Sequence, residues 1–374
     1  MQANYPCDSI SRRHFLATLG AGAAGCALAR LAPAADKGPL HEALFYDKLD
    51  KGTIRCRLCP RGCIVADGKR GYCRVRENRK GTYYSLVYGR PCATHLDPIE
   101  KKPFFHVYPG SLAYSIATVG CNLSCKFCQN WDISQASPED VSVPYRAPAD
   151  IASTAKRSKA KTIAYTYNEP TIYPEYLMDC ARAGREVGIE SVMVSNGFIS
   201  AEAQQALLPL LKAIKIDLKA FTPSFYPEVC GGRLQPVLDS LKRLSGSGVW
   251  YEIVALVIPT LNDSADEIKR MSAWIVKELG PDVPLHFSRF HPIYKMKNIP
   301  PTPPETLRRA REIAAGEGIH FVYIGNVPGE EAQNTLCPSC KAMLIRRYGY
   351  RILENTIVNG RCQACGKPVP GVWS

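Results

Sequence analysis

The sequence lacks an apolar run long enough to cross a bilayer. A mildly apolar stretch near the N-terminus, Phe15 to Ala29, is interrupted by Gly20, Gly22 and Gly25, whereas a spanning helix needs about 20 consecutive apolar residues. This absence argues against a transmembrane segment. Acidic residues are also few: 34 Asp and Glu stand against 47 Lys and Arg, a formal charge of +13. Such a basic excess permits acidic or nucleic-acid partners without establishing them.

Cysteine, by contrast, is abundant. Most of the 16 cysteines fall into three closely spaced sets. Tight C-x2-C and C-x3-C pairs are typical of metal ligands, and a chain of 374 residues is long enough not to need disulfides. We therefore expect metal centres that are assembled in a reducing compartment. The sets are Cys56, Cys59, Cys63 and Cys73; Cys121, Cys125 and Cys128; and Cys337, Cys340, Cys362 and Cys365.

The middle set lies in the sequence GCNLSCKFCQNW, residues 120–131, directly after a strand-like apolar run. A 4Fe–4S cluster normally takes four thiolates. Cys121, Cys125 and Cys128 can therefore hold three irons and leave the fourth open to a small ligand. The alternative is a zinc site of three cysteines and one histidine, but no histidine follows at a ligand-like spacing.

The pattern C-x3-C-x-aromatic-C, with Phe127 as the aromatic residue, resembles the signature of radical S-adenosylmethionine (SAM) enzymes. The resemblance implies a 4Fe–4S cluster whose open iron binds the amino and carboxylate groups of SAM. It also implies that one electron cleaves SAM to methionine and a 5'-deoxyadenosyl radical, which abstracts a hydrogen atom. In such enzymes the cofactor supplies the chemistry and the protein positions it.

Residues 1–35 predict an export leader. Ser11 to Leu16 (SRRHFL) resembles a twin-arginine signal, and Ala32-Pro33-Ala34 suits a signal peptidase. The twin-arginine route carries folded proteins, which suits a chain whose metal centres are loaded before export. The sequence therefore favours the periplasm. A cytoplasmic location is the alternative, because a low-potential electron donor is hard to provide outside the cytoplasm, and lipidation at Cys26 is a minor variant.

Strand-like and helix-like segments alternate from residue 115 to 324. This alternation predicts a parallel sheet with crossover helices. About six units fit, too few for a closed eight-fold barrel. We expect an α/β fold, a partial (β/α)6 TIM-like barrel open on one side, which the resemblance also implies. Ser264 with Glu267 and Thr302 with Glu305 predict helix starts. The predicted strands are 115–119, 162–165, 191–194, 213–218, 250–258, 285–290 and 320–324.

Polar residues follow several of these strands, at the end of a parallel barrel where active sites form. Asn168-Glu169-Pro170 resembles the G-G-E-P-type motif of radical SAM enzymes, in which the acidic residue helps to hold the SAM amino group; Asn168 replaces a glycine of that motif. The pair Ser195-Asn196 resembles the T-N-G-type turn. Asp217-Leu218-Lys219 resembles the D-x-K element of glycyl-radical activases. The resemblance therefore implies SAM contacts from Phe127, Asn168, Glu169, Ser195, Asn196, Asp217 and Lys219.

Two further regions offer candidates. On the sixth strand, Arg289 is expected to point into the barrel and bind an anionic group, with His286 on the opposite face. The segment 88–111 is expected to pack across the barrel mouth, and it contains His95, Asp97, Glu100 and His106. Lone polar residues in such loops are more often structural than catalytic, so no catalytic residue is assigned.

The outer cysteine sets predict two small modules. The first set, CRLCPRGCIVADGKRGYC, forms a compact knuckle that suits either a structural zinc ion or an auxiliary iron–sulfur cluster. Ten Lys or Arg between residues 55 and 90 are interpreted as solvated surface. The last set, CPSC and CQACGK, has the pattern of a zinc ribbon, with a rubredoxin-like iron centre as the alternative.

Taken together, CRLCPRGC, RGYC, DPIEKKPFFHVYPGS, GCNLSCKFCQNW and the terminal PGVW resemble the AmmeMemoRadiSam-type radical SAM proteins, relatives of pyruvate formate-lyase activating enzymes. The resemblance implies a one-electron reductant as partner, together with Memo-like and AMMECR-like proteins or a protein substrate. We expect a leader at 1–35, a Cys-rich module at 36–110, the radical SAM barrel at 111–330 and the ribbon at 331–374. The alternatives are a nucleic-acid-modifying or nucleic-acid-binding protein and an exported iron–sulfur electron carrier without SAM chemistry.

Overall fold

A computed structural model describes residues 38–374. The predicted leader, with its twin-arginine sequence and Cys26, lies outside these residues. Within the described part of the chain, no helix is long and apolar enough to span a membrane.

The centre of the fold is an eight-stranded sheet in which seven parallel strands follow one another in chain order. An eighth strand, β7, pairs antiparallel to the first parallel strand, with Ala93 opposite Ala117. The sheet is open between β14 and β7, which confirms the partial barrel. Its strands are β7 Ala93–Pro98, β8 Leu112–Ala117, β9 Thr162–Tyr165, β10 Glu190–Ser195, β11 Ala213–Asp217, β12 Trp250–Val257, β13 Leu285–Arg289 and β14 Val322–Gly325.

Six helices connect the parallel strands and cover the outside of the sheet. The strands between them are almost entirely buried, as expected for a parallel sheet covered by helices. Helix α6 begins as predicted, because Ser264 accepts a hydrogen bond from the Glu267 N–H at 3.2 Å. The predicted start at Thr302 is wrong: its hydroxyl donates to the Val257 carbonyl and α7 begins at Pro304. The helices are α2 Pro148–Arg157, α3 Pro174–Glu186, α4 Ala201–Leu207, α5 Leu234–Ser245, α6 Ala265–Leu279 and α7 Pro304–Gly316.

The Cys-rich region before the barrel forms two small antiparallel sheets. Its last predicted part belongs to the barrel itself, because β7 extends the barrel sheet, so that sheet begins at residue 93 rather than near 111. A short helix, α1 Trp131–Ser134, follows the cysteine loop after β8. The small strands are β1 His41–Glu42, β2 Tyr46–Lys48, β3 Ile54–Cys56, β4 Ile64–Val65, β5 Arg76–Arg79 and β6 Thr82–Ser85.

The C-terminal ribbon packs on the segment between β7 and β8. Arg347 is buried and donates to the carbonyl of Phe105 at 2.8 Å and to the Thr335 hydroxyl at 2.7 Å. Val372 forms a parallel bridge with Val107. These contacts fix the ribbon to the barrel. Its strands are β15 Thr335–Leu336, β16 Met343–Tyr348, β17 Arg351–Asn355, β18 Ile357–Val358 and β19 Arg361–Cys362.

Candidate active site

A cavity of about 820 Å³ lies at the end of the barrel where the parallel strands finish. Its volume falls in the range of small-molecule sites, about 300–1,000 Å³. The wall includes Ser195, Asp217 and Ser288, which lie in the last two positions of β10, β11 and β13. Residues 100–103 contribute from one side, and Tyr350, in the β16–β17 turn, contributes from the ribbon. The barrel strands, the segment before β8 and the ribbon therefore all contribute residues to one cavity.

The three cysteines of the loop after β8 all line this cavity, together with Phe127. The loop is held by backbone hydrogen bonds to the π-helical turn Tyr226–Cys230: the Ser124 N–H donates to the Cys230 carbonyl and the Lys126 N–H to the Val229 carbonyl, both at 2.9 Å. Gly120 precedes the first cysteine with φ of 89°, and a β-carbon there would lie 2.6 Å from the Cys73 carbonyl oxygen. Only glycine suits this close approach.

Cys230 is a neighbour of the cysteine loop that the sequence pattern did not indicate. Its side chain is buried and hydrogen-bonded to that of Cys125. Cys230 does not line the cavity. It therefore lies behind Cys125 and can donate to the sulfur of that residue. On the other side of the loop, the hydroxyl of Ser134 lies 3.2 Å from the sulfur of Cys128.

Glu169, which follows β9, is the centre of a buried hydrogen-bond network. Its Oε1 accepts from the hydroxyl of Thr171 at 2.6 Å, from the Thr171 N–H at 3.0 Å and from the hydroxyl of Ser195 at 2.8 Å. Its Oε2 accepts from the Asn196 N–H at 2.7 Å. Burial raises the pKa of Glu169, although these donors act in the opposite direction. Among the described residues, Oε2 keeps one acceptor position free.

The two asparagines of the predicted motifs have different surroundings. Asn168 donates from Nδ2 to the Gly120 carbonyl at 3.0 Å, whereas its buried Oδ1 has no hydrogen-bond partner within residues 38–374. Because Asn168 lines the cavity, this oxygen is an acceptor available to a ligand. Asn196 is instead occupied, since it donates to Asn122 and accepts from the Phe198 N–H, both at 2.8 Å. Asn196 therefore braces the cysteine loop.

A charged trio, Lys215, Asp217 and Lys219, lies at the C-terminal end of β11. The carboxylate of Asp217 accepts from Lys219 at 3.1 Å and from Lys215, which the sequence motif did not include. Burial opposes ionisation of Asp217, but the two ammonium groups outweigh it and lower its pKa to about 2. Lys219 also lies 5.6 Å from the centre of the Phe127 ring. With one negative and two positive charges, the trio gives this side of the cavity a net positive charge.

The expected orientation of β13 is wrong. His286 and Ser288 line the cavity, whereas Arg289 does not and donates from Nε to the Thr302 carbonyl at 2.8 Å. The two residues do lie on opposite faces, as strand geometry requires, but the face that points inward is that of His286. His286 is paired at 2.7 Å with Glu252, a buried carboxylate that the sequence analysis missed.

The four candidates before β8 have separate positions. Glu100 lines the cavity, and its buried Oε2 has no hydrogen-bond partner in the described part of the chain. Asp97 accepts from Lys102 and from the hydroxyl of Tyr167, both at 2.6 Å, and supports two residues of the cavity wall. His95 is exposed, and His106 is buried between the Pro370 carbonyl and the Tyr323 hydroxyl. Of the four, only Glu100 reaches the cavity.

The C-terminal cysteines form a separate site with the geometry of a single tetrahedral ion. The sulfurs of Cys337 and Cys365 lie 3.7 Å apart, as do those of Cys340 and Cys362. All four sulfurs lie within 4.8 Å of one another. A Zn–S distance of about 2.3 Å places tetrahedral sulfurs roughly 3.8 Å apart, so the ribbon fits one thiolate-bound ion.

Comparison with known proteins identifies the family. The model of the radical SAM superfamily matches residues 115–272, which include the cysteine loop and the strands from β9 to β12. The chain therefore contains a radical SAM domain. An uncharacterized protein of Methanocaldococcus jannaschii, MJ0808, is 45% identical over 334 residues, which cover 88% of this chain and 99% of the relative. The chain therefore aligns with nearly the whole of that archaeal protein.

More distant relatives of this radical SAM protein include activating enzymes. The pyruvate formate-lyase 1-activating enzyme of Escherichia coli is 22% identical over 226 residues, covering 54% of this chain and 89% of the enzyme. Among solved structures, a domain of a pyruvate-formate lyase-activating enzyme from Bacteroides vulgatus aligns with 45% of this chain and 100% of its own, at 17% identity and a TM-score of 0.40.

Superfamily membership implies a 4Fe–4S cluster and SAM, and the residues of the cavity fit both. Three thiols, Cys121, Cys125 and Cys128, line one wall without a histidine among their hydrogen-bond partners in the described chain. The unpartnered Oδ1 of Asn168 and the positive trio at Asp217 lie in the same cavity. Acceptor and cationic groups are what the amino and carboxylate groups of an amino acid require.

Proposed function

We propose that this protein is a radical SAM enzyme of the AmmeMemoRadiSam type, related to the activating enzymes, that abstracts hydrogen from a protein or small-molecule substrate. The observation that supports it is the trio of cavity-lining thiols at the C-x3-C-x2-C spacing. The 4Fe–4S cluster and SAM together supply a 5'-deoxyadenosyl radical when one electron is delivered. The residues of the chain bind, orient and enclose these groups.

Different residues of the cavity are suited to bind different groups of SAM. Oδ1 of Asn168 and the free acceptor position of Glu169 suit the ammonium group. Lys215 and Lys219 suit the carboxylate, because Asp217 neutralises only one of the two positive charges. Phe127 offers a buried aromatic surface at the same wall. Apart from Lys215, which lies within β11, these residues lie at or just after strand ends or in the cysteine loop.

The substrate would bind at the remaining part of the cavity wall. The cavity-lining residues outside the proposed SAM contacts include Glu100, Lys102, His286 and Tyr350, which come from the segment before β8, from β13 and from the ribbon. Tyr350 is 46% exposed, so it lies where solvent and cavity meet. A wall of mixed charge with an exposed aromatic residue suits a polar substrate, such as a peptide segment, rather than an apolar one.

Some of the basic residues of the Cys-rich module form ion pairs within the protein. Arg57 pairs with Asp47 and Glu202, and Arg70 pairs with Glu77 and Glu139. These pairs support the proposed enzyme over the nucleic-acid alternative, because the basic run has internal partners. We further propose export by the twin-arginine route, Memo-like and AMMECR-like proteins as partners, and a zinc ion in the ribbon.

The test is the formation of 5'-deoxyadenosine from SAM after anaerobic reconstitution and reduction with dithionite. We expect product with the wild type and none with Cys125→Ala. Cys92→Ala is the matched control, because Cys92 does not line the cavity and belongs to none of the three sets. Absence of product in the wild type, or equal product in Cys125→Ala, would overturn the proposal. A SAM-independent electron carrier would show no change in the spin-resonance signal of its cluster when SAM is added.

A further inference from the structure

The four cysteines of the N-terminal module lie next to the cysteine loop of the barrel. The Cys56 N–H donates to the Cys63 carbonyl at 2.9 Å. Burial raises the pKa of the Cys59 thiol, and the nearby thiols of Cys56, Cys63 and Cys73 act in the same direction. The module is attached to the cysteine loop of the barrel by side-chain hydrogen bonds from Arg61 to the Asn122 carbonyl and from Tyr72 to Ser124. The carbonyl of Cys73 packs against Gly120. The sequence left open whether this set holds zinc or a cluster.

The spacing of the sulfurs argues against a single ion. Among the described residues, only the ribbon cysteines bring three or more candidate ligands close enough to hold one ion. The N-terminal set does not meet this condition. Neither do Cys121, Cys125 and Cys128, which have the superfamily signature for a cluster. Cluster-binding cysteines lie further apart because each binds a different iron atom of the cube. The N-terminal set therefore lacks the geometry of a single-ion site, as the cysteine loop does.

Buried donors beside the four thiols indicate that an acceptor belongs between them. The hydroxyl of Tyr83 and the Nε and Nη1 groups of Arg76 are buried and have no hydrogen-bond partner in the part of the chain that the structure describes. Tyr83 interacts electrostatically with Cys56, Cys63 and Cys73, and Arg76 with Cys56 and Cys73. Buried donors are rarely left unpaired. The sulfides and thiolates of an anionic cluster would accept from all three.

Gly71 lies against the Tyr83 hydroxyl and close to one of the thiols. A β-carbon at Gly71 would lie 2.6 Å from the Tyr83 hydroxyl and 3.9 Å from the sulfur of Cys63. Any larger residue at this position would therefore intrude beside the thiols. Glycine keeps the hydroxyl and the sulfur accessible from the same side.

We propose that Cys56, Cys59, Cys63 and Cys73 bind a second 4Fe–4S cluster, with Tyr83 and Arg76 donating hydrogen bonds to its sulfur atoms. All four irons of this cluster have a cysteine ligand, so it has no open iron for SAM. The proposal does not depend on SAM cleavage, since it concerns the metal content and the hydrogen bonds of a separate site.

The first test is metal and sulfide analysis of the full chain after anaerobic reconstitution. We expect about eight iron atoms per chain, four for each cluster. The Cys121→Ala/Cys125→Ala/Cys128→Ala variant should keep about four, with a spin-resonance signal that SAM does not change. A Cys59→Ala/Cys63→Ala variant should keep the SAM-responsive signal instead. Zinc in place of iron in the triple variant would overturn the proposal. If a variant fails to fold, the wild type alone provides the test. Two spin-resonance signals of equal intensity, of which only one responds to SAM, would support the proposal, and a single signal would refute it.

The second test addresses the hydrogen bonds. Tyr83→Phe removes only the hydroxyl, so we expect full iron content and a lower midpoint potential for the SAM-insensitive cluster, because hydrogen bonds to sulfur favour the reduced, more negative state. Tyr46→Phe is the matched control, since Tyr46 is a neighbouring ring whose hydroxyl donates to Glu42. An unchanged potential in Tyr83→Phe, or equal shifts in both variants, would refute the predicted contact.

Discussion

Replacing Asp217 by asparagine tests the charged trio of the cavity most directly. Asparagine has nearly the same shape but no charge, so Lys215 and Lys219 would lose their shared counter-ion. Lys215 is buried, with 5% of its side chain exposed. The variant therefore leaves a buried ammonium group facing a neutral amide, while the packing of the cavity wall is retained.

The expected loss of stability follows from the shift of the Asp217 pKa. That pKa is about 2, against 3.8 for an isolated aspartate. Since one pKa unit corresponds to about 1.4 kcal/mol, the folded environment, in which the ammonium groups outweigh burial, stabilises the carboxylate by about 2 kcal/mol at neutral pH. Breaking a fully buried pair costs about 3–5 kcal/mol, but the Asp217 side chain is 31% exposed. We therefore expect a loss of about 2–3 kcal/mol.

The measurement is anaerobic thermal unfolding at pH 7, followed by circular dichroism, with Asp266→Asn as the control. Asp266 also pairs with one cation, Arg270, at 2.8 Å, but its side chain is 77% exposed. Exposed pairs of this kind contribute about 0.5 kcal/mol. The Asp217 variant should therefore unfold several degrees below the Asp266 variant. Equal unfolding temperatures would refute the inference that the trio is a strongly coupled ion pair.

Three further predictions concern individual groups. Burial lowers the pKa of His106 to about 4 from 6.5. As the pH falls, the unfolded chain therefore binds a proton at His106 before the folded chain does, and the free energy of unfolding should fall by about 2 kcal/mol between pH 6.5 and 5. Thermal unfolding of His106→Gln should not show this loss. Asn168→Ala should weaken SAM binding about 5- to 10-fold, for one lost hydrogen bond, at unchanged iron content, measured by SAM titration of the cluster signal. Cys230→Ala should lower the midpoint potential of the SAM-responsive cluster, because Cys125 loses a donor.

The sequence predicted the barrel well because its parallel strands are buried on both faces. Such strands are continuous apolar runs, and each predicted run coincides with an observed strand to within a few residues. Strand β7 was missed because its sequence, ATHLDP, contains proline and charge and has only one buried residue. It is stabilised by pairing with β8 along its whole length. That contact depends on the tertiary structure and leaves no periodic pattern.

Residues of the cavity were predicted where a motif names them and missed where only the fold brings them together. Glu169, which follows β9, and Asp217, the last residue of β11, were found because they belong to recognisable motifs. Lys215 and His286 lie within strands, and the inward face of a strand follows from what packs on each side. Arg289 was chosen over His286 because a guanidinium at a strand end suits an anion, yet Thr302 on the following loop binds it instead.

The ribbon contributes to the cavity through its hairpin. Arg347, in β16, fixes the hairpin to the Phe105 carbonyl, and the turn that follows places Tyr350 at the cavity wall. The hairpin begins just after the first ribbon cysteines and is followed by the second pair, so an ion bound to all four holds both of its ends. An ion in the ribbon would therefore hold the hairpin that places Tyr350 at the cavity wall. We therefore expect the loss of an ion from the ribbon to affect substrate binding through Tyr350, whereas SAM binding at the loop of Cys121, Cys125 and Cys128 should be unchanged.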